Sequence, residues 1–150
     1  VPAATVQRIV EAGWLTASSM NLQPWHFVVV EERETLQKLG TLARTGPYTA
    51  EAALAIVVAI EKESRFGVSD ASRAIQSMML AAWAEGVGSN WVGFHGLDAV
   101  KPLLGIPDTF DVLAIIPFGY PAQPVGKGKK KRKALGEVAS REHFGTPYSG

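Results

Sequence analysis

Apolar positions along this chain recur at two spacings, one of helices and one of strands. Val6, Ile9, Val10, Gly13 and Trp14 fall at helical spacing, with Gln7, Arg8 and Glu11 between them, which predicts a first helix over residues 2–17. Pro2 suits its first turn, where the missing N–H costs nothing. Residues 18–25, SSMNLQPW, turn small and polar, and Pro24 disfavours helix at Gln23, so this segment reads as a loop. Residues 26–30 are an apolar, β-branched run, the pattern of a buried strand. Leu36, Leu39 and Leu42 share one face of a second helix over 31–43, which Gly46 and Pro47 break. ALAIVVAI at 53–60 is a second buried strand, and 61–68 a polar connection.

The pattern then changes. From residue 70 the chain is apolar on most sides: Ala71, Ala74, Ile75, Met78, Met79, Leu80, Ala81, Ala82 and Trp83. That predicts a buried helix, capped by the side chain of Ser69 or Asp70. Arg73, Gln76 and Glu85 interrupt it, and it is too short to span a bilayer. Gly86 and Gly88 can supply a left-handed end. SNWVGF at 89–94 is a short apolar piece in which Gly93 would let a backbone or a flat ligand approach closely; an ordinary tight turn fits the same residues. Beyond it lie a short helix over 97–104 and a third long strand over 110–120, in which Pro117 argues for an edge or a bulge. A Pro/Gly-rich loop follows over 121–128, and a last short helix is expected over 137–144. Helices alternating with continuous apolar strands point to an α/β or α+β domain whose sheet is covered on both faces.

Composition narrows the chemistry. A chain of 150 residues with no repeat and no linker is expected to be one domain, 1–150, able to bury roughly 70% of its unfolded surface. The net charge of +1 gives no overall field for nucleic acid, even though KGKKKRK at 127–133 is a local basic run. With no cysteine there are no disulfides, no thiolate nucleophile and no Cys-based metal site. His26, His95 and His143 lack the spacing of a metal site and read as structural or surface groups, so no metal is expected. Trp14, Trp25, Trp83 and Trp91 read as core or interface anchors, Trp91 being equally suited to stacking on a ring. No acid/base dyad or nucleophile triad appears. The absence of a leader or a membrane span makes the cytoplasm the expected location, and a start at Val1 suggests a processed or partial sequence.

Three segments, in order, resemble the nitroreductase family. SSMNLQPWHFVVV at 18–30 is similar to its Pro-Ser-x-x-Asn-x-Gln-Pro-Trp loop and strand. Residues 70–94 are similar to its central helix, Gly-Leu-Gly-Ser segment and Gly-ending turn. LGIPDTFDVLAIIPFGYP at 104–121 is similar to its Leu-Gly-Ile-Pro turn and Gly-Tyr-Pro strand end, with a basic segment following at 132–135. The resemblance implies an α+β fold: a three-layer α/β/α sandwich on a mostly antiparallel sheet, in an intertwined homodimer with FMN at the interface. It also implies ping-pong transfer from NADH or NADPH, through flavin N5, to a nitroaromatic, a quinone or a similar electron-poor acceptor. The cofactor carries that chemistry and the protein orients it, so no residue is expected to be catalytic by itself.

Residue by residue, the resemblance assigns Ser18, Ser19 and Asn21 to a loop touching flavin from the partner chain. Ala17 stands where the family usually has proline. It assigns Trp91, Val92 and Gly93 to the turn whose backbone approaches N5, where a side chain on Gly93 would block the ring. Lys130 and Arg132 match the basic pair on the FMN phosphate; two apart in an extended segment, they point to one side. The family's usual Arg-Arg-Ser-x-Arg opening is missing, which suggests a truncated sequence. A flavin carrier or redox sensor without turnover is the alternative, and a binder of anionic surfaces acting through KGKKKRK is a third reading.

Overall fold

The computed structural model describes residues 1–93, 96–126, 128 and 130–148; the expectations for Phe94, His95, Lys127 and Lys129 fall outside the described residues. Four strands form one sheet: β1 (Trp25–Val30), β2 (Leu54–Glu61), β3 (Gly88–Ser89) and β4 (Phe110–Gly119). Their order is β1-β2-β4-β3, and every pairing is antiparallel. Val57 lies opposite Val28 on one side and Ile115 on the other. The β2–β4 register slips between Val58 and Ala59, leaving Leu113 as an extra residue that bends β4. The helices are α1 (Ala3–Trp14), α2 (Arg33–Leu42), α3 (Gly67–Ala84), α4 (Val100–Leu104) and the single turn α5 (Leu135–Val138).

Strand alternation sorts the core into two layers. Leu54, Ile56 and Val58 pack with Val6 and Ile9 of α1 and with Ala71, Ile75 and Met78 of α3. Ala55 and Val57 face the other way, onto Leu36 and Leu39 of α2 and Val100 of α4. Each buried Ile or Leu contributes about 1.5–3 kcal/mol relative to an exposed one. The result is the three-layer sandwich on an antiparallel sheet that the resemblance implies.

Five local expectations need correction. α3 begins at Gly67, before the expected cap; neither Ser69 nor Asp70 caps it, and the Asp70 side chain instead reaches the loop before β1. α3 is not buried all round: Leu80 is 59% and Trp83 56% exposed, because no element among the described residues covers that face. Gly86 does take the left-handed conformation (φ +76°), whereas Gly88 is a strand residue opposite Gly119. Pro117 is not on an edge strand, since β4 has β2 on one side and β3 on the other. Its carbonyl accepts the Asn90 N–H (3.3 Å), so its missing N–H points to the side where β3 is already ending and no ladder bond is lost. The last helix is also shorter and earlier than 137–144: Glu142 is left-handed (φ 61°), and a bridge from Ser140 to Pro147 closes the tail into a turn.

A polar brace ties α1 to the end of α3. The Glu85 carboxylate accepts from Arg8 Nε (2.5 Å) and Nη2 (2.6 Å) and from Thr5 Oγ1 (2.7 Å). Those hydrogen bonds, Arg8's foremost, hold its pKa down at about 2, against an ordinary value of 4.5. Among the described residues no helix is long and apolar enough to cross a membrane, and no cluster of three or more acidic or histidine groups could hold a metal ion.

Because the folded-state pKa is depressed, the brace contributes its full stability above pH 4.5 and loses it as pH falls from 4.5 towards about 2. Thermal melts from pH 6 down to about pH 2 should therefore show a drop in that window, and Glu85→Gln should flatten it. Identical pH profiles for the two proteins would contradict this assignment.

Candidate functional site

Where β3 ends, the chain turns through Asn90, Trp91, Val92 and Gly93. Val92 is buried and pinned to β4: its N–H donates to the Ile115 carbonyl (2.9 Å), and its carbonyl accepts the Ile115 N–H (2.8 Å). The Val92 N–H is thus taken up by the sheet, and within this turn the N–H without a partner among the described residues is that of Gly93, itself buried. The Trp91 N–H donates to Asn90 Oδ1 (2.8 Å), and Asn90 Nδ2 donates to the Tyr48 hydroxyl (2.7 Å). A methyl on Gly93 would lie 2.7 Å from Trp91 Nε1, so a side chain here would push the folded-back indole aside. Two clefts flank the turn. One, of about 410 Å³, opens beside Trp91 between Val68 and Ser72 of α3, Ile60 and Leu113. The other, of about 580 Å³, opens on the Asn90 side, with Tyr48, Tyr120, Arg33 and Glu51 on its walls.

The loop before β1 lies elsewhere on the chain. Ser19, Met20 and Asn21 form one 3₁₀ turn in which Met20 (φ 53°) and Asn21 (φ 56°) are left-handed, followed by left-handed Gln23 (φ 51°). Each such non-glycine conformation costs about 1–2 kcal/mol. Ser18 Oγ accepts the Gln23 N–H (2.9 Å) and keeps its own proton to donate. The Asn21 side chain is exposed and has no partner among the described residues. The Ser19 N–H (2.9 Å) and hydroxyl (3.0 Å) both donate to Asp70, which also pairs with Arg73. Burial pushes the Asp70 carboxyl up, but the bonds from Ser19 and Arg73 outweigh it and hold the group below its ordinary range. On a helix, residues two apart do not share a side. Asp70 therefore holds the loop away from the Trp91 cleft, which Val68 and Ser72 line.

Lys130 and Arg132 are exposed on an irregular segment. Arg132 Nη1 donates only to the neighbouring Lys131 carbonyl (3.5 Å), and no hydrogen bond or ion pair joins the basic pair to the loop or the turn among the described residues. The eight assigned residues thus form three separate groups: Ser18-Ser19-Asn21, Trp91-Val92-Gly93, and Lys130-Arg132. Together they offer two cations for a phosphate, hydroxyl and amide donors for a flavin's pyrimidine edge, a free N–H, and a cleft beside a flat indole. That donor set suits FMN if two chains bring the groups together.

Three participants went unnoticed in the sequence. Gly46 reads there as a helix breaker, yet a methyl on it would lie 2.4 Å from Val92 Cγ2, so the 44–46 loop presses on the turn. The neighbouring Thr45 Oγ1 donates to the Gly93 carbonyl (3.4 Å). Asp70 reads as a cap. Its one visible signal is an acid near the start of an apolar helix, a position that demands a paired partner.

Comparison with known proteins bears on the fold and the family. Residues 1–59 and 46–120 match the model of the Nitroreductase family. A provisionally named NADH dehydrogenase/NAD(P)H nitroreductase of Methanothermobacter thermautotrophicus is 34% identical over 84% of this chain and 70% of its own. A likewise named protein of Archaeoglobus fulgidus is 37% identical over 77% and 72%. The structure of an FMN-dependent nitroreductase from Clostridium difficile superposes with a TM-score of 0.86 at 27% identity, covering 96% of this chain and 90% of that one. An NADPH:FMN oxidoreductase from Vibrio harveyi, complexed with NAD+, superposes at 0.82 and 26%, covering 96% and 70%.

Since Gly46 packs directly on buried Val92, Gly46→Ala should lower stability by about 1–3 kcal/mol, read from the denaturation midpoint. An unchanged midpoint would mean that the loop does not press on the turn.

Proposed function

The chain belongs to the nitroreductase family, and from that premise we propose that it is an FMN-dependent oxidoreductase passing electrons from NADH or NADPH to a nitroaromatic, a quinone or a similar electron-poor acceptor. The observation that carries this reading is the family match from residue 1 to residue 120, which spans both the loop and the anchored turn. When bound, FMN would supply the redox chemistry between the nicotinamide donor and the acceptor, in ping-pong order.

The chain's own residues bind and orient. Gly93 offers an N–H fixed by the Val92–Ile115 bridge, the kind of preset donor that stabilises negative charge without reorganising. Trp91 walls the cleft beside it. Lys130 and Arg132 grip the phosphate with charge-assisted hydrogen bonds. Ser18 and Asn21 address the polar edge of the ring from a second copy of the chain.

That second copy is supported by what one chain leaves bare. Leu80 and Trp83 of α3, Trp14 (61% exposed) and Leu15 at the end of α1, and Met20 (75% exposed) and Leu22 in the loop are all large, apolar and uncovered. Apolar surface on this scale marks an interaction site, and a twofold dimer sets each chain's loop against its partner. We infer a homodimer with two flavin sites.

Purified protein mixed with FMN and desalted should keep a flavin absorbance spectrum on a particle of dimer mass, and should oxidise NADH or NADPH in the presence of a nitro or quinone acceptor. Retained flavin without turnover would favour the carrier or sensor reading, and a colourless protein would overturn both. Lys130→Ala with Arg132→Ala should weaken FMN binding about tenfold or more while leaving riboflavin, which has no phosphate, unaffected. Equal loss for both flavins would place the phosphate elsewhere.

A further inference from the structure

Asp70 is the one fully buried carboxylate among the described residues, and the reaction proposed above makes no use of it. Residues 18–23 carry three left-handed non-glycine conformations, at Met20, Asn21 and Gln23. Most hydrogen bonds of that loop close on itself: Asn21 N–H to the Ser18 carbonyl (3.0 Å), Leu22 N–H to the Ser19 carbonyl (3.1 Å), Gln23 N–H to Ser18 Oγ and Gln23 Nε2 to the Asn21 carbonyl (3.1 Å). Among the described residues, its hydrogen bonds to the rest of the fold are the one from the Trp25 N–H to the Gln23 carbonyl (2.8 Å), where the chain enters β1, and the two from Ser19 to Asp70, which alone tie it to a helix. Strained backbone persists only where its surroundings over-determine it. Here the anchor is an ionised carboxylate that only accepts, which matches the two donors of Ser19.

Resting on the functional reading above, we propose that Asp70 is a positioning residue for the flavin-facing loop, acting through Ser19. Ser19 is then a tether rather than a flavin contact, and Ser18 and Asn21 are the groups the loop presents to the ring. This divides a motif that the resemblance treats as one contact set. Both donors of Ser19 are taken up inside its own chain, while the Asn21 amide is free and the Ser18 hydroxyl proton remains available.

The test is a titration of apoprotein with FMN, followed by flavin fluorescence and by the visible circular dichroism of the bound flavin, alongside the melting temperature. Asp70→Ala should raise the FMN dissociation constant about tenfold or more and alter the dichroism. Asp70→Asn, which keeps one accepting oxygen, should do so less. Adding Ser19→Ala to Asp70→Ala should cause no further loss, because both act through one link. Leu36→Ala, in the opposite core layer, should lower the melting temperature and leave the FMN constant unchanged, separating positioning from general instability. Should Asp70→Ala fail to fold, Asp70→Asn carries the comparison, with faster solvent exchange of the Ser19 amide expected. Wild-type binding with unchanged constants in the Asp70 variants would overturn this inference alone, as would a full additional loss from Ser19→Ala. Failure of the wild-type chain to take up FMN would overturn this inference and the functional reading together.

Discussion

β2 is apolar on both faces, and the remaining elements are placed by the need to cover it. From Leu54 to Val58 every side chain is buried, alternately against α1 with α3 and against α2 with α4. A strand with no face for water must sit inside the sheet and carry a helical layer on each side. β1 and β4 flank it, and β3 adds two residues beyond β4. The proposed function depends on how early β3 stops. Most of the outer edge of β4 is left without a strand, and beyond β3 the described chain is bonded to it at Asn90, whose N–H meets the Pro117 carbonyl, and at Val92, through one reciprocal pair of hydrogen bonds to Ile115. That bridge fixes half-buried Trp91 and buried Gly93 on either side of Val92, with the 44–46 loop pressed against Val92.

In the proposed function a single chain holds the components of a flavin site without closing one. The loop at 18–23 and the cleft at Trp91 are kept apart by the first turns of α3, and the basic pair stands free on the tail. The same chain leaves one face of α3 and the end of α1 bare, with two tryptophans exposed. One event, association of two copies, would bury the apolar surface and bring loop, turn and phosphate grip around a shared ligand. In this account binding and dimerisation are one problem, and Asp70 links them by holding the loop's strained shape in readiness.

The layers were legible in the sequence because continuous β-branched runs and three-leucine helix faces each have one reading. Three of the corrections share a different cause, neighbours that local sequence does not specify. Asp70 reads as a cap because its true partner, Ser19, is 51 residues away. Leu80 and Trp83 read as core because periodicity counts apolar residues and cannot tell which neighbour covers them. Pro117 reads as an edge residue because the length of β3, which removes the need for its N–H, is decided by where Trp91 and Val92 turn. The turn at Trp91–Gly93 reads as a backbone approach to the flavin, and the bond from the Val92 N–H to Ile115 leaves the Gly93 N–H as the donor without a partner among the described residues. The family's motifs locate the site in the chain, and the hydrogen bonds decide which atoms in it remain free to bind.

The central claim is that each flavin site is built from the loop of one chain and the turn of the other. Its most direct test is complementation between two variants that each fail alone, Asn21→Ala in the loop and Gly93→Val in the turn. If the site is shared, co-refolding them in equal amounts should restore NAD(P)H oxidation to about a quarter of the wild-type level, since half the dimers are mixed and each mixed dimer has one intact site. If each chain builds its own site, the mixture stays as inactive as its parents, and the account fails.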